Sequence, residues 1–503
     1  MTSDVLTDGG KCKVLIDGEW TLPEVGRSGE VTNSSTGQVI ATVPFCTEAE
    51  VDRAVRAADA AAAGWAEVPA VQRARVLFRY VELLERHVDD LAALVSRENG
   101  KTLPESQACV RRGIEMVEFA AGAPSLLVGE SLDNLARGVD CSTERYPLGV
   151  CVGITPFNFP AMVPLWMFPL AVVAGNTFVL KPSEQVPLSA MRVVELACEA
   201  GLPPGVLSLV HGDKTCVDAL LTHPLVKAIS FVGSTPVAEY IYRTGTAHGK
   251  RVQAAGGAKN HIFVMPDADL GNSASALNGA AFGCAGERCM AGPHVLAIGG
   301  VGDELVERVT AGAGKMTVGP TDRPGRVDMG PLISRQHLER VRGHIETGVA
   351  EGAELTLDGR KVSVPQAPGG YYLGPTVFDR VRPDMAIARE EVFGPVLTVM
   401  RIDTLAEGLE LLKRCPYGNG AVIYTRDGGA AREFRRRANA GMIGVNVGVP
   451  APMAWFPFTG WNRSFFGDLH IQAREGLHFY TRQKMTMTRW FESEAVKTGS
   501  WSL

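Results

Sequence analysis

The chain has 503 residues, of which 46% are hydrophobic and 21% charged, and a net charge of -5. That length supports two or three domains in an ordinary soluble protein, and the mild negative balance gives no handle for nucleic acid or an anionic membrane. Ten cysteines without a C-x-x-C pair make no disulfide framework and fit a reducing, cytoplasmic compartment.

The polar, acidic start Met1-Thr2-Ser3-Asp4 has neither the apolar core of a signal peptide nor the arginines of a transit peptide. Residues 11 to 45, rich in Val, Ile, Thr and Gly, read as short strands with turns. Thr47-Glu48-Ala49-Glu50 is a capping box, and Val51, Ala54, Val55 and Ala58 follow at helical spacing. One helix is expected after Pro69, with Leu77, Val81, Leu84, Val88 and Leu91 on one face and Gly100 as its stop. Another runs through Arg111, Arg112, Ile114, Val117 and Phe119, its two arginines reading by themselves as a solvated face.

From Val150 short apolar runs alternate with helical segments. The strands are Val150–Ile154, Thr177–Lys181, Val206–His211, Ala228–Val232, Arg251–Ala254 and Ile262–Met265. Such alternation argues for a parallel sheet covered on both faces. Ala161 to Leu180 carries no charge and could span a bilayer. Its two prolines, Pro164 and Pro169, and its place in the alternation read instead as a buried helix and a buried strand. A second α/β series follows Cys289, with strands at His294–Ile298, Val396–Arg401 and Val422–Thr425. Pro450 to Gly467 reads as an ordered loop. The alternating Lys484 to Thr488 predicts a terminal strand whose open edge calls for a partner subunit.

Candidate chemistry begins at Gly283 to Gly292. Cys289 lies there among small residues, with Arg288 directly before it. A cation beside a cysteine favours the thiolate, which is the nucleophile; the plain alternative is a buried, inert thiol. No G-x-G-x-x-G is present, but Phe231-Val232-Gly233-Ser234-Thr235 ends a strand and opens a helix whose free N–H groups can hold phosphate. Lys181-Pro182-Ser183-Glu184, at another strand end, offers a lysine and a carboxylate to ribose hydroxyls, or is an ordinary loop. Asn158, between Phe157 and Phe159, is either a satisfied core amide or an oxyanion donor. His211, His223, His248, His261 and His294 have no ligand spacing, so no metal is expected.

Five ordered segments carry a resemblance: Pro156-Phe157-Asn158-Phe159-Pro160, Gly175 to Glu184, Phe231-Val232-Gly233-Ser234, Gly286-Glu287-Arg288-Cys289, and Glu390 to Val396. Together they resemble the aldehyde dehydrogenase superfamily over nearly the whole chain. The resemblance implies two Rossmann-like α/β domains with a small β oligomerisation arm. An NAD-binding domain would occupy 1–125 and 148–257, a catalytic domain 258–470, and the arm 126–147 with 471–503. It implies that Cys289 attacks an aldehyde while Asn158 holds the oxyanion. Lys181 and Glu184 would bind the adenosine ribose, and the carboxylate there favours NAD over NADP. Ser234 would meet the pyrophosphate, Glu391 the nicotinamide ribose, and Phe157 and Phe393 the nicotinamide end. A homotetramer is implied as well.

One departure selects a branch. Hydrolytic members carry a glutamate in Glu-Leu-Gly-Gly-Lys that activates water; the matching segment here is Ala255-Gly256-Gly257-Ala258-Lys259. A thiol acceptor such as coenzyme A needs less help than water. Arg112-Gly113-Ile114-Glu115, Phe119 to Pro124, Gly257 to His261 and Gly448 to Ala454 resemble the CoA-acylating (methyl)malonate-semialdehyde dehydrogenases. In that branch Arg112 and Arg288 would hold the carboxylate of a semialdehyde acid. The products would be acetyl-CoA or propionyl-CoA. Two rivals remain: a CoA-independent hydrolytic semialdehyde dehydrogenase, and a catalytically silent structural or binding member.

Overall fold

This computed structural model of the chain describes residues 7–491; positions 1–6 of the expected first domain and 492–503 of the expected arm lie outside them. The apolar runs after Val150 are buried along their length, and successive residues serve opposite faces. Val150, Val152 and Ile154 pack into one core with Val51 and Ile229, while Cys151 packs into the other with Leu77 and Phe168. Period-two alternation between two apolar cores is what a sheet with helices on both sides demands.

The first sheet runs Phe465–Phe466, Arg251–Ala255, Val226–Val232, Val150–Ile154, Thr177–Lys181, Leu207–Leu209, Val14–Ile16, Glu19–Thr21. Its five central strands are parallel, and the pairs at both edges are antiparallel. Val150–Ile154 comes first in sequence among those five, with later strands on either side of it. Its C-terminal end is therefore the point where strand order reverses, the usual place for a ligand crevice in such sheets.

A second sheet runs Glu354–Leu357, Thr376–Asp379, Val396–Ile402, His294–Ile298, His261–Val264, Gly420–Tyr424, Met442–Val445, parallel except at its Glu354–Leu357 edge. It has its own core around Phe263, Phe282, Phe378 and Phe434. The Met162–Val173 helix and the Thr177–Lys181 strand are wholly buried. Among the described residues no helix is long and apolar enough to cross a membrane.

One expectation needs correction. The helix expected from Pro69 to Gly100 is two, Ala70–Arg86 and Val88–Asn99, broken at His87 with φ -110° and ψ 16°. Its apolar stripe continues across the break because both halves face one core, which includes Leu77, Leu84, Val88 and Leu91. The expected terminal strand forms over Thr481–Arg489; one edge is paired within the chain and the other is the outer edge of its sheet. It makes a nine-residue antiparallel ladder with Val139–Pro147, which Ser131–Ala136 extends on the far side. The Leu103–Ala121 helix lies so close to Met162–Val173 that a Cβ on Gly113 would stand 2.5 Å from a Leu165 methyl.

Candidate active site

Loops leaving the first sheet and loops entering the second meet around one large cavity of about 670 Å³. From the first sheet come Phe157 and Asn158, then Lys181 and Glu184, then Gly233 and Ser234. The Lys181 Nζ donates to Glu184 Oε2 at 3.1 Å. Ser234 precedes the Thr235–Ala247 helix without capping it through its side chain, so the hydroxyl and the helix terminus stand open to an anion. From the second sheet come Cys289, His337, Glu391 and Phe393. Glu391 Oε1 accepts the Ala258 N–H at 3.0 Å. Burial pushes its carboxyl up to about 7, against that bond and the charges of Lys259 and Arg340. Phe393 sits at φ +57° with its ring edge-on to Phe157 at 5.9 Å. The residues assigned from sequence to a dinucleotide thus line one cleft at the strand-order reversal.

The segment before the nucleophile is bent. Cys284, Ala285 and Gly286 are consecutive left-handed residues at φ 53°, 52° and 75°; such strain at non-glycine positions costs about 1–3 kcal/mol each and persists only where neighbours impose it. A Cβ on Gly286 would stand 2.2 Å from the Gly394 carbonyl oxygen. Four distant side chains hold the loop in place. Glu105 Oε1 accepts the Cys284 N–H at 2.6 Å, the Asn158 amide donates to Glu287 O at 3.1 Å, and Asn260 and Asn419 donate to Cys289 O at 2.9 and 3.0 Å. An amide has two N–H groups, so Asn158 keeps one for an oxyanion.

A second cavity, of about 220 Å³, lies on the other side of Cys289 and contains Arg112 and Arg288 together with Glu105 and Glu115, with an apolar wall of Phe159, Met162, Trp166 and Phe458. Arg288 donates to the carbonyls of Gly279 and Ala280, while its buried Nε has no partner. Arg112 pairs with Glu115 at 3.0 Å and touches the Met453 sulfur. Cys289 lines both cavities.

A thiol between a dinucleotide-sized cleft and a smaller chamber that holds two arginines has known counterparts. The profile of the aldehyde dehydrogenase family matches residues 20–486. The chain belongs to the aldehyde dehydrogenase family. It is similar to malonate-semialdehyde dehydrogenase 2 of Geobacillus kaustophilus, 53% identical over 490 residues that cover 97% of this chain and 100% of that one. Among solved structures it resembles a methylmalonate-semialdehyde dehydrogenase of Oceanimonas doudoroffii, with TM-score 0.94 and 48% identity, covering 96% of this chain and 99% of the other. It also resembles an NAD complex from Sinorhizobium meliloti 1021, described as a methylmalonate-semialdehyde dehydrogenase, with TM-score 0.95 and 43% identity over 96% and 99% of the two chains.

In this aldehyde dehydrogenase the expected effect of Arg288 on the nucleophile is not the one seen. Burial pushes the Cys289 thiol up to about 12, the Glu391 charge adds to it, and Arg288 pulls it down least. Sequence adjacency does not set direction: the guanidinium turns back to the Gly279 and Ala280 carbonyls. Alkylation of the cofactor-free enzyme by iodoacetamide should therefore be slow at pH 7 and rise about tenfold per pH unit through pH 9, following the thiolate fraction. A rate that levels off below pH 8 would contradict the buried, protonated thiol.

Sequence reading gave no role to Glu105, Asn260, Asn419, His337 or Arg340. Only Asn260 carried a signal, since it stands in the Gly257 to His261 motif.

Proposed function

We propose that the enzyme oxidises a malonate-type semialdehyde with NAD and passes the acyl group to coenzyme A. The observation that carries this reading is the pair of cations, Arg112 and Arg288, in the chamber that opens on the Cys289 thiol. A small aldehyde bearing a carboxylate complements that chamber through charge-assisted hydrogen bonds, and the unpartnered Arg288 Nε is a donor in waiting. The relatives' names, which specify malonate and methylmalonate semialdehyde, support the same substrate class.

Cys289 forms a bond to the aldehyde carbon, and its proton leaves. The free N–H of Asn158 and the backbone N–H of Cys289 stabilise the oxyanion. Lys181, Glu184, Ser234 and Glu391 would hold NAD, which when bound supplies the hydride acceptor for this carbon. The result on Cys289 is a thioacyl-enzyme. Its acyl chain is a β-carbonyl acid, which loses carbon dioxide once the thioester carbonyl accepts the electron pair. Ala255, buried at the end of its strand, offers no base for water, so a thiol acceptor completes the cycle. The oligomer is a homotetramer in this reading, supported by Leu132, Leu135, Met485 and Met487, which are all exposed on the arm sheet. The compartment is the cytoplasm, supported by ten free cysteines.

The test is NADH formation from malonate semialdehyde and methylmalonate semialdehyde with and without CoA, with products followed by mass spectrometry. Turnover should need CoA and yield acetyl-CoA and propionyl-CoA. Equal turnover without CoA, giving a free acid, refutes the acylating reading.

A further inference from the structure

Glu287, two residues before the nucleophile, has no part in the chemistry above, yet its side chain is 2% exposed. Its backbone carbonyl takes the Asn158 amide at 3.1 Å, so its main chain already belongs to the nucleophile loop. Its side chain leads elsewhere. Oε1 accepts the Ile333 N–H at 3.1 Å, at the approach to the Arg335–Ala350 helix, and lies 3.5 Å from His337 Nε2 in that helix. His337 lines the large cavity. Its Nε2 lies 2.7 Å from the carbonyl oxygen of Phe393; a carbonyl only accepts, so this nitrogen carries a proton. The imidazole also packs edge-on against the rings of Phe157 and Phe393, at 6.2 and 6.3 Å.

One continuous set of contacts thus joins the cofactor cleft to the thiol: Phe393 with its left-handed backbone, His337, Glu287, then Arg288 and Cys289. A buried carboxyl group that takes one backbone N–H and feels the charge of Lys101 is costly unless the site needs it. Burial pushes Glu287 up to about 8 and His337 down, so near pH 7 the contact joins two largely neutral groups. A neutral joint of this kind transmits position rather than charge. The buried, protonated state of Cys289 in the free enzyme leaves the nucleophile with something to gain from such a joint when the cleft fills.

We propose that Glu287 and His337 are positioning residues that tie the nucleophile loop to the cofactor cleft, so that occupation of the cleft beside Phe393 brings Cys289 into its attacking position. The inference rests on the NAD part of the proposed function, and is independent of which aldehyde or acceptor the enzyme uses. Coupling of this kind is reciprocal: whatever cofactor does to the thiol, the state of the loop does to cofactor affinity.

The test needs neither aldehyde nor CoA. NAD affinity is measured by quenching of tryptophan fluorescence, and iodoacetamide labelling of Cys289 is followed by mass spectrometry at pH 8 with and without saturating NAD. In the native enzyme NAD should change the labelling rate at least fivefold. Glu287→Ala and His337→Phe, the second keeping the ring and losing its hydrogen bond, should each bring that ratio below twofold. The double variant should be no worse than either single one, as expected of two members of one contact. Glu287→Gln keeps an oxygen for the Ile333 N–H and should retain most of the native ratio, separating loss of the joint from loss of the fold. Native-like ratios in Glu287→Ala and His337→Phe, or additive losses in the double variant, overturn the proposal. So does a native enzyme that binds NAD without any change in labelling, whereas failure to bind NAD defeats the cofactor reading itself.

Discussion

Cys289→Ala is expected to lower kcat for NADH formation by about four orders of magnitude or more, the scale seen when a covalent nucleophile is removed. The cleft that would hold the cofactor is built from residues that do not depend on that sulfur. Lys181 and Glu184 pair with each other, Glu391 is held by the Ala258 N–H, and the Ser234 terminus is fixed by its own helix. The NAD dissociation constant, read by fluorescence titration, should therefore stay within about twofold of the native value. Residual turnover above one part in a thousand would mean that another group forms the acyl bond, and Cys284, which also lines the aldehyde chamber, would then be the next to test.

The second large effect concerns selectivity. Arg288→Leu and Arg112→Leu should each weaken the use of malonate semialdehyde far more than the use of propanal, which lacks the carboxylate. A hydrogen bond to a charged group contributes about 1.5–3 kcal/mol, or roughly 10- to 150-fold in kcat/KM. The two arginines should not be equal. Arg288 has a buried Nε with no partner, so its loss belongs at the upper end of that range. Arg112 is 43% exposed and already paired with Glu115, so water and that carboxylate compete with the substrate, and its loss belongs at the lower end. Propanal turnover should change by about threefold at most in either variant. Equal losses on both aldehydes would remove the carboxylate clamp and reduce Arg288 to its structural bonds with Gly279 and Ala280.

Much of this was legible in the sequence because the signals are local. A strand buried on both faces, such as Val150–Ile154, is an apolar run, and the turn after it brings Asn158 to the strand-order reversal whatever the rest of the chain does. Lys181 and Glu184 are three residues apart and meet on one loop. What escaped depends on partners far away. Asn419 reaches the Cys289 carbonyl across 130 positions, and Glu105 reaches the Cys284 N–H across 179. No spacing rule connects them. The break at His87 escaped for a different reason: no glycine or proline marks it, and the apolar stripe runs straight through. The terminal strand was legible from its alternation; one of its edges pairs within the chain, and the other is the outer edge of the three-stranded sheet.

The nucleophile's place between two chambers also bears on how such an enzyme can change its diet. The acid-facing wall takes Val449, Ala451, Pro452, Ala454 and Phe458 from a single stretch, and none of them lines the dinucleotide cleft. Drift in that stretch can lengthen or branch the acid that fits while the oxidising apparatus stays untouched. A duplicated gene could acquire a new diet by rewriting one loop.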